Sequence, residues 1–343
     1  IIGIWGARKE KVTASYYFFF YTLIGSVLML LSIFYIYSVT GTTDYITLLG
    51  QEIDPEIQKI LFLGFFASLA VKIPKFPFHI WLPQAHVEAP VAGSVLLAGI
   101  LIKLGSYGFI RFTLPLFPSA CVYFAPLVFT LGTLAILYAS LTTLRQIDLK
   151  RIIAYSSVSH MCVTTLGVFS LRTAGIQAGL YQGISHGFVS VALFALIGFI
   201  YDRFGSRDIQ KYSGLARVMP LYTISLLFFT LANLAMPGFS SFIGEFGLMY
   251  VAFGQSITGG LLVLTTVIVV GGYSLLLNNR VLFGDLNKVS LEVLQDLNLR
   301  ELLISVILAF FVVFLGVYAE LITDLFCDDL SPTLAELYQF CDK

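Results

Sequence analysis

The stretch LGFFASLAVKIPKFPFH, residues 63–79, sets Lys72 deep in an apolar run and follows it at once with Pro74 and Pro77. Two further stretches repeat the theme: AGILIKLGSYG (98–108) carries Lys103, and PGFSSFIGEFGLM (237–249) carries Glu245. A charge at bilayer depth costs about 2.5–3.5 kcal/mol on insertion scales. A chain that keeps three such groups keeps them facing a wet cavity or each other, so the expectation is an ion or proton path through a membrane. The prolines point the same way. Proline removes a backbone donor and clashes with the preceding turn, and in lipid a broken helix survives only where it is buried in protein or lines water.

Composition agrees. Of 343 residues, 58% are hydrophobic and 12% charged, where a soluble domain carries about 25% charged residues. Mean hydropathy is +0.89, and at roughly 20 apolar residues per span several spans fit. The apolar runs predict nine, near 15–40, 58–83, 90–115, 121–145, 151–171, 176–203, 218–253, 256–282 and 299–325. Two are too long and too interrupted for plain helices: the second carries Pro74, Pro77 and Pro83, and the seventh carries Met236, Pro237 and Gly238. Cys121, Cys162, Cys327 and Cys341 show neither a CxxC nor a metal spacing, so no disulfide framework or zinc site is expected; Cys162 reads as plain packing. No cleavable signal or transit pattern is expected. The chain opens on IIGIWG (1–6) without methionine, which reads as the tail of a transmembrane helix begun elsewhere; a non-standard start codon or a processed end would also give it.

The two interrupted segments resemble each other. Ala67 to Ala70 precedes Pro74 as Ala232 to Ala235 precedes Pro237, and Tyr107 and Tyr273 follow those prolines by 33 and 36 residues. Paired broken helices in two halves mark transporter folds built from inverted repeats. Charge supplies the orientation. With nine spans, the segments 7–12, 145–151, 203–217 and 280–300 share one side and hold Arg8, Lys9, Lys11, Arg145, Lys150, Arg151, Arg203, Arg207, Lys211, Arg217, Arg280, Lys288 and Arg300. The other side is acidic, with Asp44, Glu52, Asp54 and Glu56, then Asp324, Asp328, Asp329, Glu336 and Asp342. The positive-inside rule puts the basic set in the cytoplasm or matrix.

Lys72 lies two residues before Pro74, where unwound backbone and water are expected; a buried lysine loses proton affinity by desolvation and regains it from a carboxylate, so it can switch when its partner moves. Lys103 is too far from either end of its run to snorkel. His160, in AYSSVSHM (154–161), and His186, in QGISHGFV (182–189), lie on adjacent apolar helices. A lone buried histidine is usually a satisfied core group, but two of them with an acid and lysines suit a proton relay, since imidazole titrates near neutrality. His79 closes the first broken segment and is a further candidate. His86, in the polar stretch QAHVE (84–88), reads as loop structure, and Lys75 reads as a snorkelling side chain. No histidine–carboxylate spacing suits a metal, and no phosphate loop, flavin, haem or iron–sulfur pattern occurs.

The stretches VKIPKFPFHIWLPQAHVEAPVAGS (71–94), LRQIDLKRIIAYSS (144–157) and AMPGFSSFIGEF (235–246) closely resemble the antiporter-like, proton-translocating subunits of respiratory complex I, the mitochondrial NADH dehydrogenase. The resemblance runs from Ile1 to about residue 325. It implies an all-α membrane fold of fourteen helices in two inverted five-helix repeats, with the nine spans here as helices 6 to 14. Residues 1–115 would hold the end of helix 5 and helices 6 to 8, residues 116–285 the second repeat, and residues 286–343 the last helix and an acidic tail. The family's path residues fall on Lys72, Lys103, His160, His186 and Glu245. Its helix-5 glutamate, partner of the Lys72 position, has no counterpart in this chain, so a separate N-terminal chain carrying helices 1 to 5 is expected; Lys75 stands where the family is usually apolar.

The resemblance further implies proton pumping driven by quinone reduction elsewhere in an NADH:ubiquinone oxidoreductase. NADH, FMN, iron–sulfur clusters and ubiquinone would sit in other subunits, and this chain would have no redox centre, with room for a structural phospholipid such as cardiolipin. Expected partners are membrane-arm subunits of types 2 and 5, accessory subunits and lipids, with no nucleic acid. The expected place is the mitochondrial inner membrane, N-terminal end in the matrix and C-terminal tail in the intermembrane space. Two alternatives remain open at this point: a subunit of a multisubunit cation/proton antiporter, and a scaffold without pumping activity.

Overall fold

A long helix, α1 (Lys11–Thr40), crosses first and ends on Gly41, whose φ of 72° closes it in the left-handed region. The structure, a computed structural model, describes residues 1–6, 8–285 and 295–326; Lys288, Cys327, Cys341, Asp328, Asp329, Glu336 and Asp342 lie outside them. The second span is two pieces, α2 (Pro55–Lys72) and α3 (Trp81–Glu88). There follow α4 (Val91–Leu116), α5 (Pro118–Leu144), α6 (Leu149–Phe169) and α7 (Thr173–Phe204). The seventh span is again two pieces, α8 (Pro220–Asn233) and α9 (Ser240–Gln255). The series closes with α10 (Ile257–Leu282) and α11 (Leu299–Val317). Seven unbroken helices long and apolar enough to cross a membrane, together with two broken ones, make nine crossings among the described residues. The protein is a multi-pass membrane protein.

The breaks fall where the sequence placed them, with two corrections. α2 stops at Lys72 because Pro74 cannot donate to the ladder; the Lys75 amide reaches back to the Ala70 carbonyl at 3.0 Å, and the Trp81 indole donates to the freed Val71 carbonyl at 2.9 Å. Pro83 is not part of the break: it sits in the first turn of α3, where its missing donor is not needed. At the second break Ala235 has φ 57° and Gly238 φ 96°, turning the chain between α8 and α9. The last helix is interrupted after Val317, and helical backbone resumes over 320–326. Just before the interruption, Gly316 packs its bare α-carbon on the Gly238 carbonyl, where a Cβ would collide.

The basic segments gather at one end. Arg8 pairs with Asp148 at 3.2 Å, Asp148 and Asp208 form an isolated antiparallel bridge, and Arg203 holds Glu301 at 2.5 Å while donating to the carbonyls of Gln295 and Asp296. Buried apolar side chains form two clusters. One centres on α2, α5 and α6 around Phe62, Phe66 and Phe169; the other centres on α7, α8 and α10 around Phe194, Tyr222 and Phe229. α6 is the inner pillar, with 94% of its apolar window buried, whereas α1 has only 17%. A polar group on α6 is therefore removed from lipid on every side.

Candidate functional site

Lys103 sits on α4 between two π-helical turns, Leu97–Leu101 and Phe109–Thr113. Such turns shift backbone bonding to five residues and often mark functional positions. The lysine uses the distortion: its Nζ donates to the Ala98 carbonyl, five residues back, and lies 3.1 Å from His186 Nδ1 on α7. The helices approach this closely because Gly99 and Gly187 meet there; a Cβ on Gly187 would stand 3.4 Å from the Gly99 carbonyl.

From His186 the arrangement continues to α6. The rings of His186 and His160 have centroids 5.5 Å apart, and His160 Nδ1 is 2.7 Å from Glu245 Oε1 on α9. Gln182 Nε2 donates to the same carboxylate oxygen at 3.0 Å. Gly244 admits the Gln182 side chain. The Ser185 hydroxyl, 2.7 Å from that of Ser240 and 3.0 Å from that of Ser241, pins the start of α9 to α7. His160, His186 and Glu245 are all buried. An uncompensated charge there would be destabilising by about 3–5 kcal/mol, so the pairing is obligatory. Imidazole accepts a proton at one nitrogen while releasing one at the other. His160 Nε2 has no hydrogen-bond partner among the described residues, so it is free to accept as Nδ1 gives to Glu245.

The structure thus brings Lys103, His186, His160 and Glu245 into one line spanning four helices. It does not bring Lys72 or His79 into it. Lys72, the half-buried last residue of α2, has no hydrogen bond or ion pair among the described residues. His79 packs its ring against Phe76 and Tyr138, at centroid distances of 5.8 and 5.1 Å, and neither nitrogen has a partner.

Two sequence expectations are overturned. His86 is not loop structure: it is a fully buried residue of α3, its ring stacked on Phe194 at 4.5 Å with both nitrogens unpartnered. The polar look of residues 84–88 hid this, because the polar residues point into protein. Lys75 does not snorkel. It is 1% exposed, and its Nζ lies 5.4–5.7 Å from the rings of Phe66, Phe109 and Phe169 with no hydrogen-bond partner. Pro74 and Pro77 hold that turn inside the bundle, so the side chain cannot reach an interface. Sequence reading also passed over Lys150, buried at the basic end, whose Nζ donates to the Ala89 carbonyl at 2.8 Å and lies near the Ser94 hydroxyl at 3.5 Å. Among the described residues no group of three or more His, Cys, Asp or Glu side chains is arranged to hold a metal.

Comparison with known proteins gives the geometry a family context. A family model described as NADH:quinone oxidoreductase/Mrp antiporter, transmembrane, matches residues 1–271. A protein of Chondrus crispus named NADH-ubiquinone oxidoreductase chain 4 is 53% identical over 93% of this chain and 65% of its own length. The protein of that name from Marchantia polymorpha is 51% identical over 99% and 68%. The chain therefore spans about two thirds of the length of the curated relatives it matches. Among solved structures, a chain of respiratory complex I from Thermus thermophilus with bound NADH aligns with a TM-score of 0.89 at 30% identity, covering 99% of this chain and 71% of that one. A chain of the Mrp complex from Dietzia shares the fold, with a TM-score of 0.82 at 21% identity over 97% and 69%.

Proposed function

The chain belongs to the NADH:quinone oxidoreductase/Mrp antiporter family of transmembrane proteins, and from that premise we propose that it is a proton-translocating membrane-arm subunit of an NADH:ubiquinone oxidoreductase. The observation that carries the reading is the continuous, lipid-shielded contact line from Lys103 through His186 and His160 to Glu245. Four titratable groups at this spacing serve stepwise proton movement better than they serve stability, since well-packed apolar residues in their places are often neutral or stabilising by about 1–4 kcal/mol.

In this mechanism quinone reduction elsewhere in the complex disturbs the first break. Lys72 loses its partner and passes a proton by water to Lys103. Lys103 gives it to His186 Nδ1, His160 takes it up and releases one to Glu245, and Glu245 passes it on toward the outer side. Each step moves one proton and returns the donor to its starting state when the next arrives. The carboxylate that pairs with Lys72 comes from outside the described residues; the unpartnered Lys72 supports this.

The chain is organised as two inverted repeats, with residues 1–115 completing the first, 116–285 forming the second, and 286–343 carrying the last helix and tail. It sits in the mitochondrial inner membrane, basic end in the matrix, beside membrane-arm subunits of types 2 and 5 and accessory subunits, with other subunits holding NADH, FMN, the iron–sulfur clusters and ubiquinone, and with structural phospholipid such as cardiolipin around it. The names of its relatives and the one-sided basic end support this placement. Glu245→Gln tests the function: the complex should assemble while coupled NADH:ubiquinone turnover falls at least tenfold, and unchanged coupled turnover would remove Glu245 from the path.

A further inference from the structure

Beyond the line just described, Glu245 lines a cavity beyond which further polar groups run toward the basic end. A cavity of about 10 Å³ opens beside the His160–Glu245 pair, walled by Thr266 and Val270, large enough for about one water. One turn along α10 from Val270 stands Tyr273, 4% exposed, with its hydroxyl 3.4 Å from Asn233 Nδ2. Next comes a cavity of about 20 Å³ bounded by Ser156, Thr230, Asn233 and Tyr273. Below it the Asn278 amide donates to the Thr230 hydroxyl at 2.8 Å, while Asn278 Oδ1 is buried without a partner. A buried, unpartnered amide oxygen ordinarily signals water.

A further cavity of about 20 Å³ shares Ile152, Tyr273 and Leu277 with the preceding one and reaches Gln146 and Arg280. Gln146 also lines an open cleft of about 310 Å³ among Arg8, Arg145, Asp148, Arg151 and Asp208 at the basic end. The cavities from Tyr273 to that end thus share walls in succession, and the cavity beside Glu245 ends at Val270, one turn of α10 from Tyr273. Asn233, the last residue of α8 at the second break, holds the long hydrogen bond to Tyr273.

We propose that Glu245 exchanges protons with the basic-loop side through a hydrated branch in which the Tyr273 hydroxyl is the relay and Asn233 its positioning residue. The inference rests on the proton-translocating reading above and extends it. The branch gives Glu245 a proton source independent of Lys103. Asn233 stands at the helix break, so movement of α8 relative to α9 opens or shuts the branch. A hydroxyl suits this position because it accepts from one side while donating to the other. One proton enters at the cleft for each proton delivered to Glu245, and no other group changes charge.

The test is Tyr273→Phe, which keeps the ring and its burial, with Asn278→Leu as a second lesion lower in the branch, both measured in the assembled complex in sealed membranes. Each variant should lower coupled turnover about tenfold and raise the solvent deuterium isotope effect on the remaining turnover at least twofold, because proton delivery becomes rate-limiting. A packing defect would not raise the isotope effect. Normal turnover in both variants beside an inactive Glu245→Gln would overturn the branch and leave the main line standing. Normal turnover in Glu245→Gln as well would overturn both.

Discussion

His160 Nδ1 lies 2.7 Å from Glu245 Oε1, and this contact joins the inner pillar α6 to the second half of a broken helix. The carboxylate is held twice, by His160 and by Gln182, so small displacements of α9 register directly on the group that ends the proton line. Gly244→Ala tests this sensitivity. A Cβ there would stand 2.8 Å from the Gln182 α-carbon and would push α9 from α7. Overpacking costs about 1–3 kcal/mol, so the variant should assemble with reduced heat stability, and coupled turnover should fall about tenfold in a membrane assay. Wild-type turnover would show that the Gln182–Glu245 contact is dispensable.

Lys75 offers a prediction of opposite sign. Its buried amine has no hydrogen-bond partner, which costs about 1–3 kcal/mol, whereas cation–π contacts of a desolvated ammonium return about 2 kcal/mol or more only if it is charged. Lys75→Met fills the same volume without a polar atom. It should leave coupled turnover intact and raise the heat stability of the complex by about 1 kcal/mol. A large loss of turnover would place Lys75 on the path after all.

Arg203 and Glu301 form a two-pronged pair, at 3.1 and 2.5 Å, that fastens α7 to the start of α11. Both side chains are largely buried, at 13% and 7% exposure. Removing one partner strands the other charge, at about 3–5 kcal/mol. Arg203→Ala and Glu301→Ala should each lower the thermal midpoint of the complex, and the double variant should be less damaged than the sum. Additive losses would mean the two residues act separately.

Lys103, His160, His186 and Glu245 were legible because each is an ionisable residue in an apolar run, where insertion cost alone demands a reason. Nine crossings and the two breaks were legible from run lengths and from Pro74 and Pro237. What sequence could not convey was direction. The pattern at 84–88 looks solvated, yet α3 turns His86 onto Phe194. Lys75 lies one position past Pro74, and only the path of the turn decides between an interface and a ring of phenylalanines. The π-helical turns that let Lys103 reach Ala98 leave no mark in residue spacing, and the Tyr273 branch depends on cavities between helices distant in sequence.

The most direct test of the central claim is the number of protons moved per NADH oxidised by sealed membranes carrying Lys103→Met, since Lys103 is the member of the line that Lys72 must reach. The account predicts an assembled complex whose coupled turnover is at least tenfold lower and whose remaining turnover moves fewer protons per NADH than wild type. An unchanged rate with an unchanged proton-to-NADH ratio would contradict it.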